Sequence, residues 1–339
     1  MDAPVVLAVD GNSLVHRSFH AQANPAQPAW AVRGLLGQLV AAVDRIRPVA
    51  VVIGFDDPDR SQRREQWPQY KATRTEKLDA LVRQLALAVE VMREIGVAVV
   101  VPEGLEADDV LASTAAFARE SGAHTVVVSS DRDSFALIDD TTRVLRIING
   151  GVDASPLMTP ERLVTLLGVR PDQYRDFAAL RGDPSDNLPG VRGIGPHHAA
   201  RLLREFGTAA AAFDDIDVVR SKLGKGVAER LADPQARSAW DVNCRVMTMH
   251  TDVPLGLDLA GGPGVLPLDA ATVQEVFTAH NLTWSTGQAV RVLADTEVEV
   301  PRPPRPVAES WFADRPRPRP AHRATRPAKP AAVQLALFD

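Results

Sequence analysis

Four short apolar runs constrain the fold more than any other feature of this sequence. They are VVLAVD (5–10), VAVVIGFD (49–56), VAVVVP (97–102) and HTVVVSSD (124–131), and each is apolar at successive positions. This pattern is typical of strands that are buried on both faces of a parallel sheet. Stretches with apolar residues at helical spacing lie between them, so strand and helix alternate. The first 157 residues are therefore predicted to form an open α/β sheet.

The second half of the chain has a different pattern. From about residue 158, short helical stretches are broken by Gly and Pro, which predicts a helical subdomain over 158–297. Within it we expect a strand at VMTMHTDVPL (246–255) and a last helix near 271–281. After residue 297, Pro and Arg dominate and no apolar period remains. This composition predicts a disordered linker over 298–333, ahead of a short apolar end at 334–339.

The charge is distributed unevenly along the chain. The net charge is −5, yet residues 301–339 carry eight Lys and Arg against three Asp and Glu, so the body before them is strongly acidic. Such a body predicts acids that are gathered at a site and neutralised by metal ions. A single cysteine, Cys244, excludes an internal disulfide. We see neither a signal peptide nor an apolar run of about 18 residues, and expect a cytoplasmic monomer without a membrane span.

Carboxylates follow the ends of three predicted strands, at Asp10, Asp56 and Asp131. The carboxyl ends of parallel strands form the ligand crevice of an open sheet. An alternative is that each Asp only caps the next turn. Further acids occur in GLEADDVLAS, SSDRDS and RGDPSDN, namely Glu106, Asp108, Asp109, Asp133, Asp183 and Asp186. Acids in a first helical turn also complement the helix dipole, which explains one of the three in GLEADD but not all.

A cluster of this size repels itself at neutral pH unless positive charge lies within it. Oxygen ligands without His or Cys suit Mg²⁺ or Mn²⁺, and the histidines and the cysteine show no zinc spacing. Two such ions about 4 Å apart form the arrangement that cleaves phosphodiesters. The acids therefore predict a metal-dependent hydrolase.

Five motifs in order resemble the bacterial 5′-nucleases. They are VDGNSLVHRSFHA, FDDPDRSQRREQWPQYKATR, GLEADDVLAS, SSDRDSFALI and LRGDPSDNLPGVRGIG, and the resemblance runs from residue 4 to about 255. The family comprises the 5′-nuclease domain of DNA polymerase I, stand-alone flap endonucleases and phage 5′-exonucleases. The resemblance implies a PIN-like α/β nuclease core with a helical arch at about 60–95. It also implies a helix–three-turn–helix element for duplex DNA at 181–207.

The resemblance further implies removal of 5′ flaps and 5′ ends from DNA in replication and repair. Divalent metal, Mg²⁺ or Mn²⁺ in two or more ions, is implied at the nine acids, with K⁺ at the helix–hairpin–helix. The implied metal-binding acids are Asp10, Asp56, Glu106, Asp108, Asp109, Asp131, Asp133, Asp183 and Asp186. The chain has the full set, which favours an active enzyme.

Basic and aromatic residues accompany these motifs. By position in the motifs, Arg17, Arg63 and Lys71 are expected to steer the scissile phosphate onto the metals. Arg64 and Arg74 are expected to be solvated surface charges. Tyr70 is expected to stack on an unpaired base, and Trp67 either to stack in the same way or to pack in the core.

The segment GVRGIGPHHAARLL predicts a glycine hairpin that leads into a helix. Gly190, Gly193 and Gly195 allow tight turns and a close approach to phosphate. The free N–H groups of the next helix would then face the anion, with His197 beside them. Relatives often carry Lys and a hydroxyl residue where this chain has His197 and His198. A neutral His binds phosphate more weakly than Lys, so we expect pH-dependent DNA binding, unless the pair is only an exposed helix start.

The C-terminal QLALF is similar to the Gln-Leu-x-Leu-Phe peptide by which bacterial repair proteins bind the sliding clamp of DNA polymerase III. In this peptide Gln334, Leu335, Leu337 and Phe338 would be the anchors. A frayed C-terminus, or a tail that packs on its own body, is the alternative.

Two other functions remain open at this point. The chain could be a catalytically weak protein that binds branched DNA or acts as a clamp adaptor. It could also be an RNA-processing nuclease, although the hairpin for duplex DNA and the clamp-like end count against this.

Overall fold

The computed structural model describes residues 3–21, 29–282 and 286–294. Its centre is a six-stranded sheet with the order β3-β2-β1-β4-β5-β6, in which every neighbouring pair is parallel except β5–β6. The strands are β1 (Val5–Asp10), β2 (Ala50–Gly54), β3 (Ala98–Val100), β4 (His124–Ser129), β5 (Thr142–Arg146) and β6 (Leu157–Met158). The mostly parallel α/β sheet predicted from the apolar runs is confirmed.

The sheet is covered by helices on both faces, which explains why β1 is apolar at every position. Leu7 and Val9 pack in one core with the helix Trp30–Ile46, whereas Val6 and Ala8 belong to cores on the opposite face. The helices of this half are α1 (Gly11–Ala21), α2 (Trp30–Ile46), α3 (Gln62–Gln66), α4 (Asp79–Glu94), α5 (Ala107–Glu120) and α6 (Gly151–Ala154).

Short helices follow the sheet. They are α7 (Pro160–Leu167), α8 (Tyr174–Arg181), α9 (Pro196–Phe206), α10 (Ala209–Asp214), α11 (Ile216–Leu223), α12 (Lys225–Leu231), α13 (Ala236–Val246), α14 (Ala270–Ala279) and α15 (Thr286–Leu293). A two-stranded ribbon, β7 (Gly182–Asp183) with β8 (Leu188–Pro189), lies between α8 and α9. Phe177, Leu202 and Leu231 share a core there.

Two expectations for the second half are corrected. Residues 246–255 are not a strand: Val246 ends α13 and irregular backbone follows, because its polar groups bind side chains of the cleft instead of a neighbouring strand. The region near α14 and α15 does not join the helical subdomain, since Phe277 and Leu293 pack in the same core as α2 and α4. The last helix itself, expected near 271–281, is present as α14. The linker at 298–333 and the peptide at 334–339 lie outside the described residues.

Candidate active site

The cleft lies at the carboxyl ends of the three central strands. Asp10 is the last residue of β1, and Asp56 and Asp131 follow β2 and β4 by two residues each. Because β1 pairs in parallel with both β2 and β4, these ends meet at one edge of the sheet. Asp10 is 4% exposed and accepts hydrogen bonds from Ser13 N at 2.9 Å and Ser129 Oγ at 2.6 Å. The two serines therefore fix its orientation.

Asp56 connects the cleft to two helices. Its Oδ1 accepts from Ala107 N at 3.0 Å, at the start of α5, and its Oδ2 accepts from the Asn12 amide of α1. Neither Asn12 nor the serine contacts of Asp10 were predicted from the sequence. Asn12 and Ser13 lie close to Asp10 in the chain and Ser129 ends β4, and this is the one feature of the sequence that could have indicated these contacts.

Asp10, Asp108 and Asp133 share an unfavourable electrostatic environment. Burial, together with the charges of Asp131 and Asp56, raises the pKa of Asp10 to about 6, although the hydrogen bonds from Ser129 and Ser13 oppose this shift. Burial also raises the pKa of Asp108 well above its usual value, as do Asp10, Asp131 and Asp133. Burial likewise raises the pKa of Asp133 well above its usual value, and the charges of Asp131, Asp183 and Asp186 add to this shift. We call Asp10, Asp108, Asp131 and Asp133 the unpaired acids, because none of them has a salt-bridge partner within the described residues.

Asp109 has a different environment, although it is adjacent to Asp108. Its side chain is fully buried, and its two oxygens accept from Arg63 Nη1 at 2.7 Å and Nη2 at 2.6 Å. Its Oδ2 also accepts from Glu106 N, and its Oδ1 from His250 N. Burial raises the pKa of Asp109, but the hydrogen bonds and charge of Arg63 outweigh it, so the net shift is downward.

Arg63 and Asp109 therefore need correction as site residues. Arg63 is 8% exposed, and its remaining N–H groups donate to the carbonyls of Val246 and Thr248 at 3.0 Å. Such a guanidinium cannot reach a scissile phosphate, and such a carboxylate has no free oxygen for a metal ion. The pair instead joins α3 and α5 to the chain after α13. Sequence could not reveal this, because the two residues are 46 positions apart.

Glu106 lies between the two groups. Its Oε2 accepts from Arg63 at 3.3 Å and from Tyr70 Oη at 2.9 Å, and its Oε1 accepts from Lys71 Nζ at 2.8 Å. Tyr70 is 5% exposed and packs with Leu188. Its expected stacking on a base is therefore not possible in this conformation. Trp67 is partly buried against the same cluster, which favours core packing.

Two further cations of the segment between α3 and α4 contact acids of the cleft. Arg74 Nη2 pairs with Asp186 Oδ1, and Lys77 Nζ lies 4.0 Å from Asp56 Oδ2. The expectation that Arg74 is only a solvated charge is therefore wrong, whereas Arg64 is exposed as expected. Asp183, the other acid of the RGDPSDN motif, accepts from Ser185 N and Oγ at 2.8 and 2.6 Å.

Arg17 lies on α1, the helix that begins directly after Asp10. Its Nη2 donates to Asn149 Oδ1 at 2.8 Å, in the loop after β5. Both residues line an open groove together with Trp30, Arg33 and Gln38. Arg17 thus stays a candidate for phosphate contact.

The glycine hairpin follows the ribbon β7–β8. A side chain at Gly190 would place its Cβ 2.2 Å from the carbonyl oxygen of Arg181, so only glycine fits there. Gly193 has φ +79°, which also favours glycine. Gly195 precedes α9, whose first turn has no side-chain cap, and His197 is exposed beside it. The N–H groups at this helix start are therefore available to an external anion.

The donor set of the cleft fits divalent metal ions of the Mg²⁺ and Mn²⁺ class. The acids offer oxygen alone, several of them are buried, and burial above all raises the pKa of four of them, Asp10, Asp108, Asp133 and Asp186. The residues that could hold such ions are Asp10, Asp56, Asp108, Asp131, Asp133, Asp183, Asp186 and the Oε1 atom of Glu106.

Comparison with known proteins agrees with this geometry. Residues 5–168 match the model of the 5′-3′ exonuclease N-terminal resolvase-like domain, and residues 169–263 match that of the 5′-3′ exonuclease C-terminal SAM fold. The chain belongs to the 5′-3′ exonuclease family. The family resemblance drawn from the five motifs is thus confirmed.

Relatives within this family include DNA polymerases. DNA polymerase I of Mycobacterium tuberculosis (strain ATCC 25618 / H37Rv) is 37% identical over 237 residues, which cover 68% of this chain and 26% of that protein. The thermostable DNA polymerase I of Thermus aquaticus is 36% identical over 259 residues, 75% of this chain and 30% of that protein. The chain thus matches less than a third of the length of these relatives.

Solved structures share the fold. The T5 D15 protein co-crystallised with metal ions has a TM-score of 0.59 at 17% identity, covering 85% of this chain and 99% of that one. The catalytic core of Rad2 in complex with a DNA substrate has a TM-score of 0.56 at 16% identity, covering 87% and 92%. Over residues 3–21, 29–282 and 286–294, no helix is long and apolar enough to cross a bilayer.

Proposed function

We propose that this protein is a metal-dependent 5′-3′ exonuclease and 5′-flap endonuclease that hydrolyses DNA phosphodiesters with two divalent ions. The observation that carries the proposal is the set of unpaired acids in the cleft, and burial together with neighbouring carboxylates raises the pKa of three of them, Asp10, Asp108 and Asp133. T5 D15 co-crystallised with metal ions, and Rad2 was solved with a DNA substrate; both support a metal site and a DNA substrate for this chain as well.

The chain's own residues would hold the reacting phosphate in the following way. Lys71 pairs with an acid of the cleft and Arg17 lies on the helix that follows Asp10, so their cationic groups would bind non-bridging oxygens of the phosphate. When bound, the ions would lower the pKa of water and neutralise charge on the attacking and leaving oxygens. Before the ions bind, Glu106 and Asp186 hold Lys71 and Arg74 beside the cleft.

Duplex DNA would lie on the hairpin after β8. The start of α9 supplies N–H groups to a phosphate, and contacts of this kind position DNA without reading its sequence. We propose that K⁺ binds at this hairpin between backbone carbonyls and the phosphate. The close packing of Gly190 against the Arg181 carbonyl keeps this turn tight.

In the cell, the substrates would be the 5′ flaps of lagging-strand fragments and of repair intermediates, in the cytoplasm at the nucleoid. We propose that Gln334, Leu335, Leu337 and Phe338 bind the sliding clamp, and that the linker tethers the nuclease to DNA. Replacing Leu337 and Phe338 by Ala in the full chain should abolish binding to immobilised clamp and leave cleavage of free flap DNA unchanged. Equal clamp binding by both proteins would refute the tether.

The function itself is tested with a labelled 5′-flap DNA in Mg²⁺, in EDTA, and with Asp131→Ala. The matched control is Asp140→Ala, since Asp140 is an exposed acid far from the cleft edge of the sheet. We expect cutting near the flap junction in Mg²⁺ for the wild type and the control, and none for Asp131→Ala. A wild type that binds the flap but does not cut it would instead be a branched-DNA-binding protein. Faster cutting of a matched RNA flap would favour RNA processing.

A further inference from the structure

One segment delivers three cations to three acids of the cleft. Between α3 and α4, residues 71, 74 and 77 are Lys, Arg and Lys, at a constant spacing of three. Lys71 Nζ lies 2.8 Å from Glu106 Oε1, Arg74 pairs with Asp186, and Lys77 Nζ lies 4.0 Å from Asp56 Oδ2. We call residues 71–77 the strap. Its three partners come from three places in the chain, and two of them, Asp56 and Glu106, lie together because Asp56 Oδ1 accepts from the N–H of Ala107.

Backbone contacts hold one end of the strap. Lys71 N donates to the Asp186 carbonyl at 2.8 Å, and Asn187 Nδ2 donates to the Gln69 carbonyl at the same distance. Lys71 has φ +55°, a left-handed conformation that a residue with a side chain rarely adopts, so the surrounding contacts must enforce it. The other end is open, because the Arg74 and Lys77 side chains are 50% and 41% exposed. The segment can therefore detach from its open end.

The strap cations and divalent ions need the same oxygens. Glu106 Oε1 is bonded to Lys71, while Glu106 Oε2 is already used by Arg63 and Tyr70. An ion that coordinates Glu106 therefore takes the atom that Lys71 holds. The same choice arises at Asp186 Oδ1 with Arg74. Arg63 differs, because it is buried and bound on all sides, and it would stay in place.

We propose that Lys71, Arg74 and Lys77 are internal counter-ions that compete with divalent metal for Glu106, Asp186 and Asp56. Metal binding then releases the strap and frees its cations for the phosphates of the substrate. In the absence of metal the strap neutralises part of the negative charge of the cleft. This inference rests on the proposed metal site, but its tests use no DNA and do not measure nuclease activity.

The first test is isothermal titration of the full chain with Mn²⁺. The variants are Lys71→Met and Lys77→Met, and the control is Arg181→Met, whose charge acts on Asp133 without a salt bridge to it. Competition predicts that Lys71→Met binds Mn²⁺ at least about fivefold more tightly than Arg181→Met, with Lys77→Met between them. Equal affinities of Lys71→Met and Arg181→Met would reduce the effect to general electrostatics and overturn the proposal, as would weaker binding by Lys71→Met.

The second test uses the wild type alone. Trypsin cleaves after Lys and Arg, so release of the strap exposes Lys71, Arg74 and Lys77 to it. We expect saturating Ca²⁺ to accelerate cleavage at these three bonds at least about fivefold relative to EDTA, while cleavage after the exposed Arg64 changes little. Unchanged or slower cleavage of the strap in Ca²⁺ would overturn the proposal. If both tests give the expected results but the protein does not cut flap DNA, the proposed nuclease function is refuted. The competition between the strap cations and divalent metal would still be supported.

Discussion

Two neighbouring carboxylates, Asp108 and Asp109, illustrate two kinds of acid in one cleft. Asp109 is bound by both arms of Arg63, and its pKa is lowered. Asp108 has no such partner, and burial together with Asp10, Asp131 and Asp133 raises its pKa. Successive residues at the start of α5 point in different directions, so one reaches the interior and the other the cleft. Two adjacent acids of one motif thus have opposite electrostatic environments.

This contrast distinguishes an acid that forms an ion pair within the protein, Asp109, from acids that have no ion pair and could bind an external cation. A buried carboxylate with its own arginine is neutralised within the chain, whereas the unpaired acids repel one another and gain from an external cation. The first kind should matter for stability and the second for activity.

The largest effect is expected for an unpaired acid. Asp108→Asn should reduce cleavage of flap DNA at least about 1,000-fold, about 4 kcal/mol of activation free energy, because a metal ligand is lost. The free energy of unfolding in EDTA should not fall, since a source of repulsion is removed. Kinetic assays and urea denaturation in EDTA measure the two quantities, with Asp140→Asn as the control. A large loss of stability would place Asp108 with the structural acids.

The converse is expected for the paired acid. Asp109→Ala should lower the free energy of unfolding by about 3–5 kcal/mol, because Arg63 would remain buried with only the longer contact to Glu106 as its counter-charge. Urea denaturation in EDTA checks this. Double substitution with Arg63→Met should recover part of the loss. If Asp109→Ala is stable but inactive, Asp109 is a metal ligand after all.

The two kinds of acid should also respond oppositely to pH. The pKa of Asp10 is about 6 in the folded protein, against an ordinary value of 3.8. The folded protein therefore binds this proton more tightly than the unfolded chain does. Without metal, stability should therefore fall as pH rises from about 4 to about 6, on the order of 1–3 kcal/mol for this residue. Asp109, with a lowered pKa, contributes stability above about pH 3.8 and loses it on further acidification.

Urea denaturation of the wild type and Asp10→Asn between pH 4 and 7 in EDTA isolates the first of these effects. The two proteins should diverge as pH rises, with Asp10→Asn the more stable above pH 6. Parallel curves would contradict the raised pKa. Mg²⁺ should restore stability to the wild type more at pH 7 than at pH 5.

The smallest effect is expected at the hairpin. His197→Lys should tighten binding of flap DNA in Ca²⁺ about two- to fivefold and steepen its dependence on salt, because a permanent cation would stand at an exposed helix start. Fluorescence anisotropy measures this. Burial, and to a smaller extent the charge of Arg230, lowers the pKa of His198. A positive charge on His198 should therefore contribute to DNA binding only at acidic pH. An unchanged salt dependence would mean that phosphate does not reach this turn.

Much of the sheet could be predicted, because strands buried on both faces are apolar at every position. β5 was missed, since TRVLR carries two arginines among its five residues. Asp10, Asp56 and Asp131 were correctly expected at strand ends, because parallel strands bring these ends together. The roles of Arg63, Tyr70 and Arg74 could not be predicted, since they depend on partners 36 to 112 positions away. Motif position identifies a residue as part of the site, but tertiary contacts decide what it does there.

The most direct test of the separation between paired and unpaired acids is a crystal structure with Mn²⁺, with the ions located by anomalous scattering. Our account predicts peaks coordinated by Asp10, Asp108, Asp131 or Asp133, with Arg63 and Asp109 still bonded to each other. A peak coordinated by Asp109, or a cleft without peaks at saturating Mn²⁺, would contradict it.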